Sequence, residues 1–411
     1  MSKPSSTPAF PLLAHGAPFT TSLLSHINDT IPSEKIYVIA SASLAKNTPH
    51  LNTLKDALGV RLAGLRVGMR PHTFWSEVLE VIDDVRRSGA DCVVTLGAGS
   101  LTDAAKIVVY AIANSVTTSE ELGSLSTSFS SSFLPQRENT HPSRIPVICI
   151  PTTLSGGEYS STAGATNDAD GRKYAFSGVA ARPPRLVILD PELAMTTPRG
   201  VWLSTGVRAL DHCVETLCSL RSNEGADASA RRGLMRLVPA LLRCCKEADD
   251  HPTAAAAARL DCFLGARDSM AAANSGVPMG ASHGIGHQLG PAGVGHGETS
   301  CILNPAVCKY NYAKKANVAR QDAVTALLWA DEHAAKVFEE RGLRKETADL
   351  GDAMDAIIRA LGLPRTLKEF GIGEDKLDGI AEHSLHDRWV KTNPAHLDKE
   401  GVLEILRMVL G

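Results

Sequence analysis

The chain has 411 residues, 44% of them hydrophobic and 21% charged, enough to bury a large core and most simply divided between two domains. Lysine and arginine total 42 against 45 acidic residues, a net charge of −3, and no basic run is present to follow a phosphate backbone, so nucleic acid is not expected as a partner. No apolar run is long enough to span a bilayer, and the first eight residues lack an apolar signal core, so no membrane partner is expected and the protein reads as cytoplasmic.

In chain order, short β-branched apolar runs over 36–40, 60–67, 91–96, 146–150 and 185–189 alternate with longer amphipathic segments. That alternation predicts strands joined by crossover helices, a doubly wound, Rossmann-like α/β domain over 1–195. Residues 115–145 interrupt it with a serine-rich stretch that reads as a flexible surface insertion without chemistry. Around 189–198 a strand signal ends and two prolines frame a change of period. Beyond it, alanine- and leucine-rich segments over 226–247, 253–273, 320–340 and 345–361 predict an all-helical domain over 196–411. The fold class is therefore α/β plus all-α, and a cleft between two unlike domains is the expected place for a ligand. The nine cysteines include no Cys-x-x-Cys pair and read as reduced thiols, which leaves any metal to the histidines.

Gly97, Ala98, Gly99 and Ser100 follow the third apolar run and lead into a helical pattern containing Asp103 and Lys106. Small residues there let backbone N–H groups approach a phosphate at a helix N-terminus, although tight strand-to-helix packing gives the same pattern. Pro151, Thr152 and Thr153, with Gly156, Gly157 and Glu158 behind them, follow the next strand and put two hydroxyls at the same sheet edge. Together the two loops read as the floor of a dinucleotide site. No acidic residue stands from Ser41 to Lys46, where an NAD-selective fold usually holds the ribose hydroxyl, so NADPH is allowed as well as NADH. Farther on, His283, His287 and His296 crowd into a glycine-rich stretch, the first two one helical turn apart.

These motifs in this order resemble the iron-containing (group III) alcohol dehydrogenases, with their maleylacetate reductase and glycerol dehydrogenase relatives. The likeness runs over most of the chain. It rests on the loop from Gly97 to Lys106, the Pro151-Thr152-Thr153 loop, Asp190-Pro191-Glu192-Leu193, the segment from Gly206 to Glu215, and the histidines from His283 to His296. The resemblance implies pyrophosphate on Gly97, Ala98, Gly99 and Ser100, Asp103 toward the nicotinamide, and Thr152 and Thr153 beside the adenine half. Ser41 and Leu193 complete the cofactor set. It also implies a divalent metal, iron or zinc, on His212, His283 and His296, with His287 near the nicotinamide as a proton relay. A homodimer acting on a small-molecule substrate is expected.

The family's fourth ligand, an aspartate four residues before His212, is here Arg208. A guanidinium stays protonated and cannot ligate a cation. Asp211 points about 100° away around a helix from its neighbour His212 and reads as the partner of a base elsewhere. The expected reaction is hydride transfer between a nicotinamide and a carbonyl or alcohol, or an unsaturated oxo acid. His287, Arg208 and His212 are the catalytic candidates, because negative charge grows on the substrate oxygen as hydride arrives. One variant is a metal-independent enzyme like maleylacetate reductase, using Arg208 and histidines. The rivals are a lyase like dehydroquinate synthase and a repurposed nucleotide-binding relative without net redox turnover.

Overall fold

Strands that are apolar at nearly every position need cover on both faces, and five of the nine strands among the described residues are buried throughout. A computed structural model describes residues 11–128, 139–177, 180–246 and 252–411. The chain forms two compact units, one ending at Thr197 and the other beginning at Pro198.

In the first unit the strands are β1 (Leu12–His15), β2 (Ile36–Ala40), β3 (Leu62–Val67), β4 (Cys92–Gly97), β5 (Thr127–Ser128), β6 (Val147–Pro151), β7 (Ala163–Thr166), β8 (Lys173–Phe176) and β9 (Leu186–Leu189). Six of them make one parallel sheet in the order β1-β9-β6-β4-β2-β3. The chain steps outward from β2 to β3, then crosses back to β4 and continues the other way through β6 and β9. The order therefore reverses between β2 and β4. Leu23, Ile36, Val38, Val94, Leu96, Ile148 and Ile188 lie in the core on one side of this sheet.

The five expected strands form, β2 with the expected bounds and the other four starting one or two residues later. Residues 59–61 close a 3₁₀ turn before β3, and Val60 is fully exposed there. β1 carried no signal in the sequence because it is four residues long and only half-buried at the sheet edge. Part of the serine-rich stretch is ordered, a correction to its reading as a flexible insertion. Thr118 and Glu121 cap each other's backbone to start the Ser119–Ser124 helix, and β5 pairs antiparallel with β8. Residues 129–138 of that stretch, and Glu247 and His251 farther on, lie outside the described residues.

The second unit is helical. Arg199–Cys218, Glu224–Lys246 and Pro252–Ala273 pack on one another, with Gly233 so close to the neighbouring helices that a Cβ there would stand 2.8 Å from Cys213 Sγ and 3.0 Å from Ser269 N. The expected helix over 320–340 is two, Val318–Trp329 and Glu332–Glu340, because the Asp331 side chain accepts from Ala334 N at 2.9 Å and restarts the helix. The next one begins at Leu350, where Asp349 and Asp352 form a reciprocal cap. Ala281–Leu289 and His296–Ala313 carry the clustered histidines. All nine cysteines are free thiols, and among the described residues no helix is long and apolar enough to cross a membrane.

Candidate active site

Ligands of open α/β sheets bind beyond the carboxyl ends of the strands where the strand order reverses. In the first unit that place is the end of β2 and β4. Ser41 begins the turn after β2, its N–H donating to Leu96 O at 2.9 Å, and Gly97 ends β4. Gly97 has φ +147°, and a Cβ on it would lie 2.6 Å from Leu101 Cδ1 and 2.9 Å from Ser41 Cβ, so glycine is required there. Ala98 is the extended residue before the Gly99–Ala113 helix, whose first turn contains Gly99 and Ser100. A Cβ on Gly99 would stand 3.1 Å from Ser155 Cβ, which is how closely the loop after β6 approaches. In that loop Thr152 N donates to Gly97 O at 3.1 Å, and the Thr153 and Ser155 hydroxyls are 3.0 Å apart. Leu193 is buried in a short helix capped by Asp190.

Lys106 holds these loops together. Its ammonium is buried, donates to the Gly157, Ser160 and Thr162 carbonyls at 2.8, 3.3 and 2.6 Å, and pairs with Asp103 at 3.0 Å. Asp103 also accepts from Gly164 N at 3.2 Å, so it anchors the β7 strand as well as standing near the glycine loop. Glu158, fully buried near Lys106 and Asp103, has its carboxyl pushed up to about 7 by burial, with Lys106 pulling the other way.

In the second unit the Arg199–Cys218 helix carries Arg208, Asp211, His212 and Glu215, and Ala281–Leu289 packs its first turn on Glu215. Glu215 accepts from Gly280 N and Ser282 N at 2.8 and 2.9 Å and shares a 2.7 Å hydrogen bond with His283 Nδ1. Asp211 accepts from Ser282 Oγ, Ser300 Oγ and Asn304 Nδ2 at 2.8, 2.6 and 2.7 Å, and its carboxylate lies 3.4 Å from His283 Nδ1. Burial pushes Glu215 up to about 7 and raises Asp211 too. The His212 and His283 rings lie 4.7 Å apart, and burial, with the neighbouring Arg208 guanidinium adding to it, keeps both imidazoles well below their usual range and therefore neutral. His283 Nε2 and His212 Nδ1 are buried without a hydrogen-bond partner.

One turn beyond His283, His287 Nδ1 donates to Asp387 Oδ2 at 2.8 Å. Gly284 makes this possible, because a Cβ there would stand 2.8 Å from Val390 N and 3.2 Å from Asp387 Oδ1. Only glycine lets the 387–390 turn lie so close to the helix. Asp387 Oδ1 also accepts from Trp389 N at 2.8 Å, which fixes the carboxylate from the other side.

The structure thus brings Arg208, His212 and His283 together, and places His287 on the same helix as His283. His296 is the exposed first residue of its helix. Among the described residues the group with metal-ligand spacing is Asp211, Glu215 and His283, a different set from the three histidines expected. Its carboxylate oxygens and His283 Nδ1 already take part in the hydrogen bonds above, while His283 Nε2 does not. At the metal position that the resemblance implies, the imidazoles of His212 and His283 stand near the Arg208 guanidinium. A divalent ion about 5 Å from that cation would meet roughly 7 kcal/mol of repulsion at an effective dielectric near 20. The residues present do not fit the ion. Asp387, Glu215, Ser300 and Asn304 had been given no role from sequence. Only Glu215, one turn from Asp211 on a motif already singled out, carried a signal there.

Comparison with known proteins agrees with this architecture. Residues 18–191 match the model for "Iron-containing alcohol dehydrogenase", and residues 202–410 match "Fe-containing alcohol dehydrogenase family, C-terminal". The chain is 40% identical to Dehydrogenase FUM7 of Gibberella moniliformis, covering 97% of this chain and 96% of that protein. It is 39% identical to Dehydrogenase ALT3 of Alternaria alternata, covering 91% and 98%. The crystal structure of maleylacetate reductase from Rhizobium sp. strain MTP-10005 superposes with a TM-score of 0.75 at 24% identity, covering 98% and 97%, and shares the fold. Members of this family use NAD(H) and typically a divalent metal. By both halves of its sequence and by its fold, the chain belongs to the iron-containing alcohol dehydrogenase family and is an NAD(P)-dependent oxidoreductase that moves hydride between a nicotinamide and a carbonyl or alcohol.

Proposed function

We propose that the first unit holds the dinucleotide on Gly97, Ala98, Gly99 and Ser100, flanked by Ser41, Asp103, Thr152, Thr153 and Leu193, and that His287 exchanges the proton that accompanies hydride transfer. The observation that carries this reading is the 2.8 Å contact between His287 Nδ1 and Asp387. A carboxylate oxygen accepts, so one proton rests on Nδ1, and the proton exchanged with the substrate oxygen is the one carried on Nε2. When hydride reaches a carbonyl carbon, the alkoxide that forms takes the Nε2 proton of the His287 imidazolium, which leaves the ring neutral with its remaining proton on Nδ1, and Asp387 holds the ring in position throughout. In the alcohol-oxidising direction the same nitrogen accepts the proton.

The reversal of strand order between β2 and β4 supports the cofactor half of the reading, together with the need for glycine at 97. The turn after β2 begins with Ser41 and offers no carboxylate, which suits NADPH as well as NADH. His212 takes part as a buried neutral imidazole beside the substrate. The reading also takes the enzyme to be a cytoplasmic homodimer; light scattering on the purified protein tests the dimer. The experiment for the reaction is NAD(P)H oxidation with a panel of aldehydes and oxo acids, using 4-deuterated cofactor to follow the hydride. Deuterium on the product carbon, with turnover reduced at least tenfold by His287→Ala, is expected. Product formation without net cofactor oxidation would overturn the reading in favour of a lyase, and binding of cofactor without turnover would overturn it in favour of a repurposed relative.

A further inference from the structure

The guanidinium of Arg208 is half-buried on its helix, yet among the described residues its one hydrogen bond is Nη1 to Ser300 Oγ at 3.2 Å. Arginine carries five N–H donors in a planar fork. Ser300 passes the contact on to Asp211 at 2.6 Å, so the carboxylate that could have neutralised the guanidinium instead orients it through a hydroxyl. The Arg208 charge also acts on His212, His283, Asp211 and Glu215. Beside it His283, 3% exposed, keeps Nε2 without a partner, and His212 keeps Nδ1 without one. A fixed cation with open N–H donors is built to receive an anionic group, not a second cation.

We propose that Arg208 is the resident cation of this site and binds a carboxylate or the developing oxyanion of the substrate where relatives place a divalent metal. The proposal rests on the hydride-transfer reading above and adds the charge class of the substrate. A carboxylate accepts two parallel N–H bonds from the fork, whereas an aldehyde without an anionic group accepts one. The chain is therefore expected to prefer oxo acids to plain aldehydes of the same length.

The test uses the full-length protein and two probes, zinc and succinate. Purified wild type is expected to hold no stoichiometric iron or zinc by elemental analysis, and its thermal midpoint is expected to stay unchanged with excess zinc or with chelator. Arg208→Asp restores an aspartate one turn before His212 and is expected to bind zinc at least about 100-fold more tightly than wild type, with a raised midpoint. Succinate is expected to raise the midpoint of wild type and not that of Arg208→Gln. About one metal ion per wild-type chain, lost on chelation with a fall in the midpoint, overturns the proposal. So does an undiminished succinate shift in Arg208→Gln, or no shift in wild type. If Arg208→Asp does not fold, the metal content of wild type decides. Hydride transfer that proves metal-dependent sinks this proposal and keeps the reaction; failure of NAD(P)H oxidation in a metal-free protein that still binds succinate through Arg208 sinks the reaction alone.

Discussion

Replacing Asp387 with alanine removes the acceptor of His287 Nδ1 while leaving the histidine in place. The bond is 2.8 Å long and one partner is a carboxylate, the class of hydrogen bond that contributes about 1.5 to 3 kcal/mol. The His287 side chain is 31% exposed and that of Asp387 13%, so solvent screening puts the loss in the lower half of that range. A cost of about 1.5 to 2 kcal/mol in the transition state is about a ten- to thirtyfold fall in kcat. Steady-state NAD(P)H oxidation gives the number, and a pH–rate profile shows whether the group acts through the histidine. Asp387→Asn keeps an acceptor oxygen and is expected to fall between the two. Gly284→Ala acts at a distance in the same direction, because its Cβ would push on Val390 N, 2.8 Å away, and move the turn that presents Asp387. An Asp387→Ala enzyme with wild-type kcat and an unshifted pH profile would refute the role given to this pair.

Three other outcomes follow from the first unit. Gly97→Ala forces a side chain into a φ of +147° and against Leu101 and Ser41, and should weaken NAD(P)H binding at least tenfold in a fluorescence titration, about 1.4 kcal/mol; an unchanged Kd counts against the glycine loop as the cofactor floor. Lys106→Met strands Asp103 and the loop carbonyls, and should cost about 3 to 5 kcal/mol in urea unfolding, with a loss near zero arguing that the buried ammonium stabilises nothing. Burial pushes the Glu158 carboxyl from its ordinary 4.5 up to about 7, so its stabilising contribution is complete below pH 4.5 and is lost as pH rises through 7. The stability difference between wild type and Glu158→Gln should change by roughly 3 kcal/mol between pH 4.5 and 8, and a difference independent of pH would show that the carboxyl is not held as described.

Periodicity and composition made the sheet legible because its central strands are buried on both faces and are mostly valine, isoleucine and leucine. The glycine loop was legible for a related reason, since a sharp turn between a strand and a helix admits few residue types. β1 was not, because an edge strand of Leu12, Leu13, Ala14 and His15 has no β-branched residue and two of its four residues are exposed. The histidine stretch could be found from its crowding, but the partners that define its chemistry could not. Asp387 stands one hundred residues from His287 in an irregular turn, and only the packing at Gly284 brings them together. Asp211 is the intermediate case. Its offset from His212 around the helix indicated a partner elsewhere, and the structure supplies the identities, Ser282, Ser300, Asn304 and His283.

The one hundred residues between His287 and Asp387 also set an order of events during synthesis. At about 5 to 20 residues per second, a ribosome needs about 5 to 20 seconds to deliver the carboxylate after the imidazole has been made. Through that interval the sheet and the glycine loop of the first unit are already complete in the growing chain and free to fold. A nascent chain can thus complete the proposed nucleotide floor well before the proposed proton donor is oriented, and on that reading capture of cofactor can precede competence for chemistry.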